Sequence, residues 1–108
     1  MVAALVHAGI TDVVQAADGR EAVDAVKAQG FDLVLIDWYM PTMEGIDAVR
    51  AMRAENEKMP IIMVSVEADR ALVVKALKAG VTDYLIKPVS PTVLTARIRE
   101  ALGNGSSE

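Results

Sequence analysis

The sequence predicts an α/β protein, a doubly wound sheet of parallel strands covered by helices, and two observations carry that prediction. Short unbroken apolar runs take turns with longer stretches whose apolar residues recur three and four apart, the pattern of strands alternating with covering helices. The two strongest runs, residues 31–36 and 61–65, are almost entirely Val, Leu, Ile and Met with no polar alternation, as strands buried on both faces require.

Taken in order, residues 1–8 are apolar and alanine-rich and read as a piece of a helix closed by Gly9. Residues 13–17 form a weaker strand, 20–28 a helix, 31–36 a strand and 44–54 a second helix. The units 61–65 with 68–79, and 82–86 with 91–102, complete the alternation of strand and helix. Gly9, Gly30, Gly80 and Gly103 stand at helix ends, where a left-handed cap is easiest without a side chain. The architecture repeats but the sequence does not, so a solenoid is excluded. Residues 1–102 make one domain, and residues 103–108, composed of Gly, Asn, Ser and Glu, form a frayed tail.

Composition narrows the function. The chain has 108 residues, 53% of them hydrophobic, which suffices for one core. Its 15 acidic and 11 basic residues give a net charge of −4, and the basic residues are scattered singly, so a nucleic-acid partner is not expected. The absence of cysteine excludes disulfides and thiolate zinc sites and suits a reducing cytoplasm. The apolar start has no basic residues before it and is interrupted by Gly9, so it reads as neither signal peptide nor membrane span, and no membrane partner is expected.

Functional groups in an open parallel sheet collect at the carboxyl ends of the strands. Three such ends here carry Asp37, Ser65 and Lys87, the last followed by Pro88. Singly, each has an ordinary explanation: a carboxylate capping a turn, a hydroxyl satisfying a backbone donor, a solvated ammonium. Together they fit one chemistry. An aspartate attacks a phosphoryl donor and holds an acyl phosphate, while the ammonium and hydroxyl bind the new oxygens.

At these residues the sequence resembles a known family. Residues 33–45, Leu-Val-Leu-Ile-Asp-Trp-Tyr-Met-Pro-Thr-Met-Glu-Gly, look like the phosphoacceptor strand and loop of bacterial response-regulator receiver domains. Residues 60–65, Pro-Ile-Ile-Met-Val-Ser, are similar to the fourth strand with its switch hydroxyl, and 79–88, Ala-Gly-Val-Thr-Asp-Tyr-Leu-Ile-Lys-Pro, to the fifth strand with its switch aromatic and Lys-Pro. Gly9 and residues 17–22 resemble the turn before the second strand and the start of the second helix. The likeness spans residues 1–102 and is closest to chemotaxis-type single-domain regulators.

The resemblance implies a flavodoxin-like doubly wound sheet of order 2-1-3-4-5, an order known from a chemotaxis regulator. It implies a phosphorelay receiver that is an acceptor rather than an enzyme, with a sensor histidine kinase or phosphotransfer protein as donor. Asp37 is then the phosphoacceptor, Ser65 and Lys87 bind the phosphoryl group, and Tyr84 is the aromatic that changes rotamer. Asp37 and the backbone carbonyl of Tyr39 are expected among the ligands of Mg²⁺.

The sequence also departs from the family. Receivers open with an apolar strand ending in two adjacent acids, and roughly twenty residues are lacking before Gly9, more than the ~6 of a typical strand. The expectation is therefore a truncated receiver, missing its first, central strand and the acidic pair that holds the cation, so that Mg²⁺ binding is weak or absent. Asp12 and Asp18 read as turn and N-cap residues rather than replacements. Losing about four buried apolar side chains would remove ~6–12 kcal/mol, against a whole stability of ~5–15 kcal/mol.

An empty slot would also leave two unpaired strand edges, which predicts a homodimer or strand-exchanged assembly, a shifted second strand, or a strand supplied by another polypeptide. Two functional readings follow: a receiver impaired in Mg²⁺-dependent phosphorylation, or a phosphorylation-incompetent pseudo-receiver acting as a binding or dimerisation module. Tyr39 and Val66 stand where receivers usually carry smaller residues, which points to altered phosphoryl turnover. His7, the sole histidine, is assigned no role, and the six methionines read as core filling. A flavin or nucleotide binder is disfavoured because no glycine-rich phosphate loop follows a strand.

Overall fold

The computed structural model describes residues 3–7 and 12–103, without the side chains of His7, Asp12 and Val13. The expected cap at Gly9 and the tail beyond Gly103 lie outside the described residues. Five strands and four helices follow in the order β1 (Ala3–His7), β2 (Asp12–Ala16), α1 (Gly19–Ala28), β3 (Leu33–Ile36), α2 (Gly45–Glu55), β4 (Ile61–Ser65), α3 (Arg70–Ala79), β5 (Asp83–Ile86) and α4 (Pro91–Ala101). The strands form one sheet in the order β2-β1-β3-β4-β5. The α/β class, the two buried strands and the shorter third strand of the sequence reading are present within one or two residues at each end.

The first element differs. Residues 3–7 are a strand and not the expected helix piece, and that strand sits in the central slot expected to be empty. Its register pairs Ala3 with both Ile36 of β3 and Ala16 of β2, and it runs antiparallel to both. Alanine favours helix in isolation, but here the sheet offers two unpaired ladders and burial on both faces. Ala3, Ala4 and Leu5 are buried and Val6 half-buried, so an all-apolar segment meets the requirement of a central strand.

Chain direction follows from connection length. Only four residues, 8–11, separate β1 from β2, too few for the crossover a parallel pair needs, so β1 must run against its neighbours. β3, β4 and β5 are mutually parallel, and β1 is the one reversed strand. The filled slot corrects three expectations: no central strand position is missing from the sheet, β2 lies outside β1 rather than shifting against β3, and a partner copy is not required to cover open edges.

The two sides of the sheet are covered unequally. Ala3, Leu5, Val34, Ile36, Ile61 and Met63 face a core closed by α1, α2 and α3, including Val23, Val49, Met52 and Ala76. Leu33, Ile62 and Leu85 face the other way, where Leu94 and Ile98 of α4 pack on them, although α4 itself buries no residue fully.

Caps set the helix ends. Asp18 accepts from Glu21 N–H at 2.8 Å and starts α1, with Glu21 Oε1 in turn accepting from Ala17 N–H, a reciprocal pair close to a capping box. Asp69 accepts from Ala71 N–H, which starts α3 at Arg70 rather than at residue 68. Gly80 closes α3 with φ +123°, as its position predicted, and Gly103 is likewise left-handed, whereas α1 ends on extended Gln29 without using Gly30 in that way.

The reversed central strand makes a specific demand. Ala4→Pro should destabilise the domain by several kcal/mol, because β1 donates and accepts on both edges; Leu5→Ala should cost about 2–5 kcal/mol. Urea unfolding followed by Trp38 fluorescence measures both, and a helical or frayed N-terminus would leave Ala4→Pro near wild type.

Candidate phosphoacceptor site

The site is built where β3, β4 and β5 end. Asp37 follows β3, Ser65 closes β4 and Lys87 follows β5, so the parallel register brings all three to one edge as expected. Lys87 Nζ lies 2.7 Å from Asp37 Oδ2, with side chains 43% and 20% exposed. Lys87 N–H donates to Ser65 O at 2.8 Å, which fixes the β5 end against β4, and the Lys87–Pro88 peptide is cis. The other carboxylate oxygen of Asp37 accepts from Tyr39 N–H at 3.3 Å, so the Tyr39 backbone is beside the acid.

Close packing beneath Asp37 explains the glycine of the motif. A Cβ on Gly45 would stand 2.2 Å from the Asp37 carbonyl oxygen, and Gly45 N–H donates to Trp38 O at 2.7 Å. The start of α2 is thereby pressed against the Asp37–Trp38 backbone, with Trp38 only 4% exposed. On the other flank, α1 docks on the same loop: Gly19 N–H donates to Pro41 O and Arg20 N–H to Thr42 Oγ1. Thr42 holds the positive φ of 66° that turns the loop.

Ser65 is fully buried, and its Oγ accepts from Glu67 N–H at 3.2 Å. Tyr84 reaches the same group, its hydroxyl donating to Glu67 O at 2.7 Å. The Glu67 carboxylate accepts from the Tyr39 hydroxyl. Glu67 therefore ties the aromatic after Asp37 to the aromatic of β5, a role that the sequence reading did not assign. An acid two residues beyond the strand-end hydroxyl was the available signal. Val66 is 66% exposed and turned to solvent rather than packed over Ser65.

The two acids that flank β2 are accounted for by their places in the chain. Asp18, beyond the end of β2, is held by the α1 cap. Asp12 begins β2 opposite His7, while Ala16 at its other end pairs with Ala3 and so with Ile36. At ~3.3 Å per residue, this places the Asp12 backbone about 13 Å from the functional edge. Because β1 is reversed, it brings Ala3 to that edge. Among the described residues no three His, Cys, Asp or Glu side chains gather to hold a metal ion. With Lys87 on one Asp37 oxygen and Tyr39 N–H on the other, the described residues do not fit a Mg²⁺ site.

Two phenols are perturbed upward. The hydrogen bond to Glu67 raises Tyr39, aided by small desolvation and by the Glu67 charge. Burial raises Tyr84, opposed by a hydrogen bond from Ser65 and supported by the charges of Glu67 and Asp37. A raised phenol contributes stability that is fully present below its unfolded value of about 10 and is lost as pH climbs through the folded value. Glu67→Gln should lower the Tyr39 pKa toward the ordinary value while Tyr84, shifted first by burial, stays raised. Tyrosinate absorbance titration of this variant beside Tyr39→Phe checks the assignment; an unchanged curve for Glu67→Gln would refute it.

The comparisons with known proteins agree with this geometry. Residues 1–99 match the model of the response regulator receiver domain family. A chemotaxis protein CheY homologue of Campylobacter jejuni is 44% identical over 107 residues, covering 96% of this chain and 82% of the relative. Chemotaxis protein CheY1 of Helicobacter pylori is 44% identical over 98 residues, covering 88% and 79%. Among solved structures, the receiver domain of a Francisella response regulator superposes with a TM-score of 0.76 at 32% identity, covering 83% of this chain and 74% of that one. The receiver domain of a Pseudomonas aeruginosa sensor histidine kinase, which holds a magnesium ion in its active-site cleft, gives 0.77 at 32% identity and covers 83% and 75%. Sequence, fold and the arrangement of Asp37, Ser65, Tyr84 and Lys87 lead to one conclusion: the chain belongs to the response regulator receiver domain family.

Proposed function

We propose that this polypeptide is a two-component phosphorelay receiver that takes a phosphoryl group on Asp37 and is impaired in Mg²⁺-dependent phosphorylation. The observation that carries the reading is the Asp37–Lys87 ion pair at the strand edge beside buried Ser65. In the proposed step an Asp37 carboxylate oxygen forms a bond to phosphorus as the bond from phosphorus to the donor breaks, leaving an aspartyl phosphate. When the donor is a phosphohistidine of a sensor kinase or phosphotransfer protein, the imidazole nitrogen leaves and takes up a proton. Lys87 then exchanges part of its pairing with the carboxylate for a phosphoryl oxygen, and Ser65 Oγ turns from Glu67 N–H toward another. That turn frees the backbone of Glu67 to which Tyr84 is bound.

In family members that carry it, Mg²⁺ neutralises phosphoryl charge during transfer. Among the described residues the one cation paired with Asp37 is Lys87, so transfer is proposed to be slow, and any self-phosphorylation or dephosphorylation too weak to class the chain as an enzyme. A cytoplasmic location, which a cysteine-free sequence suits, belongs to the same proposal. Self-association does not, because β1 already pairs on both edges.

The second reading, a phosphorylation-incompetent binding module, draws on the engagement of both Asp37 oxygens, by Lys87 and by Tyr39 N–H. Incubation with acetyl phosphate separates the two. The first reading predicts one added phosphoryl group by intact-protein mass spectrometry, lost in Asp37→Asn, with a rate little changed by Mg²⁺. It also predicts no saturable Trp38 fluorescence response up to high-millimolar Mg²⁺. Absence of any adduct favours the binding module, and tight, saturable Mg²⁺ binding overturns the proposed impairment.

A further inference from the structure

Away from the phosphoacceptor edge, a groove of about 360 Å³ runs between α2 and α3, lined by Arg50, Ala71, Val74, Lys75, Lys78 and Ala79. None of Asp37, Ser65, Tyr84 or Lys87 takes part in it. The α3 contribution is periodic: positions 71, 74, 75 and 78 recur at three, four and seven residues from the first, which places them on one stripe of the helix. Two of them are apolar and two are cationic. The helix is anchored on its other side by Ala76, its only buried residue, with Leu72 packed against the core and Ala79 reaching both core and groove, so the stripe is not needed to hold α3 down.

The groove is cationic although the chain as a whole is acidic. The chain carries a net −4, yet three of its 11 basic residues line the groove and no acidic residue does. The ion pair described for Arg50 is with Asp47 on its own helix, at 3.5 Å with both side chains more than half exposed, an arrangement worth little in water. Among the described residues neither Lys75 nor Lys78 has a carboxylate within pairing distance. Between the cations Val74 is 41% exposed, a large apolar side chain left in water.

We propose that this α2–α3 groove is a docking surface for an acidic amphipathic helix of a partner protein, whose carboxylates pair with Arg50, Lys75 and Lys78 while an apolar side chain covers Ala71 and Val74. Helix-in-groove recognition uses anchors spaced three and four residues apart, the spacing that α3 presents. The apolar floor selects against a simple anion, which would leave Val74 uncovered. The overall negative charge and the small number of cations select against nucleic acid, whose affinity grows with the count of phosphates neutralised. Docking here does not use Asp37, so it stands or falls apart from the phosphoacceptor reading.

The test uses the full chain and a fluorescein-labelled synthetic helix of about 15 residues bearing Glu at three- and four-residue spacing around Leu. Controls are the same peptide with Gln for Glu, inorganic phosphate, and a single-stranded RNA of similar length. Anisotropy should show binding of the Glu peptide alone, weakening with added salt as the charges are screened. Amide shifts in ¹⁵N spectra should centre on Arg50, Ala71, Val74, Lys75 and Lys78. The double variant Lys75→Glu, Lys78→Glu should lose affinity by about tenfold or more, while keeping wild-type Trp38 fluorescence and wild-type acetyl phosphate reactivity. Equal binding of the Gln peptide, displacement by phosphate, preference for RNA, shifts centred elsewhere, or no binding up to about 1 mM peptide would each overturn the proposal.

Discussion

The fold depends on the two hydrogen-bonded ladders that β1 makes, one with β2 and one with β3. An interior strand satisfies backbone donors and acceptors on both sides, and a sheet opened at that place would leave two ladders unpaired in the core. The segment Ala3–His7 closes both. Its chemistry is simple: no charged residue, small side chains at Ala3 and Ala4, and Leu5 fully buried against the α1 and α2 face. The stability expected to be missing with an empty slot is supplied by whatever apolar chain can reach that slot, even when its intrinsic preference is helical.

Direction then governs chemistry. A strand entering the slot parallel to its neighbours would deliver its carboxyl end to the edge where Asp37 and Lys87 meet. The reversed β1 delivers Ala3 instead, with His7 and Asp12 paired at the far edge. At the functional edge the Asp37 carboxylate therefore faces the Lys87 ammonium, Glu67 is tied to Tyr39, and Asp18 and Glu21 are spent on the start of α1. Around that reduced centre the supporting parts persist: Gly45 under the Asp37 carbonyl, the buried Ser65, and the Tyr39–Glu67–Tyr84 linkage.

Much of this was legible in the residues. The continuous apolar runs before Asp37 and Ser65 could only be strands buried on both faces, and their parallel order brings Asp37, Ser65 and Lys87 together. Asp18 behaves as the cap that its place before a helix implied. The first eight residues were misread because local preference and tertiary demand disagree there: an Ala-rich stretch scores as helix, and nothing local records that a slot lies open beyond residue 30. The role of Glu67 was hidden for a related reason. Its partners Tyr39 and Tyr84 lie 28 and 17 residues away, and only the folded edge makes them neighbours.

A strand-edge Asp37 with no metal-binding cluster of acids around it among the described residues ties the proposed function to how the sheet is completed, so the arrangement of β1 is the point to test. The cysteine-free sequence allows a direct measurement, because Ala4 and Leu35 are cross-strand partners in the antiparallel register. Directly opposed residues have Cα atoms about 4.5–5.5 Å apart, within the range a disulfide spans. The double variant Ala4→Cys, Leu35→Cys should cross-link under mild oxidation, and the out-of-register pair Ala4→Cys, Leu33→Cys should not. Failure of the first pair to form while the second does, or no cross-link in a folded domain, would contradict the reversed central strand and the account of the site that follows from it.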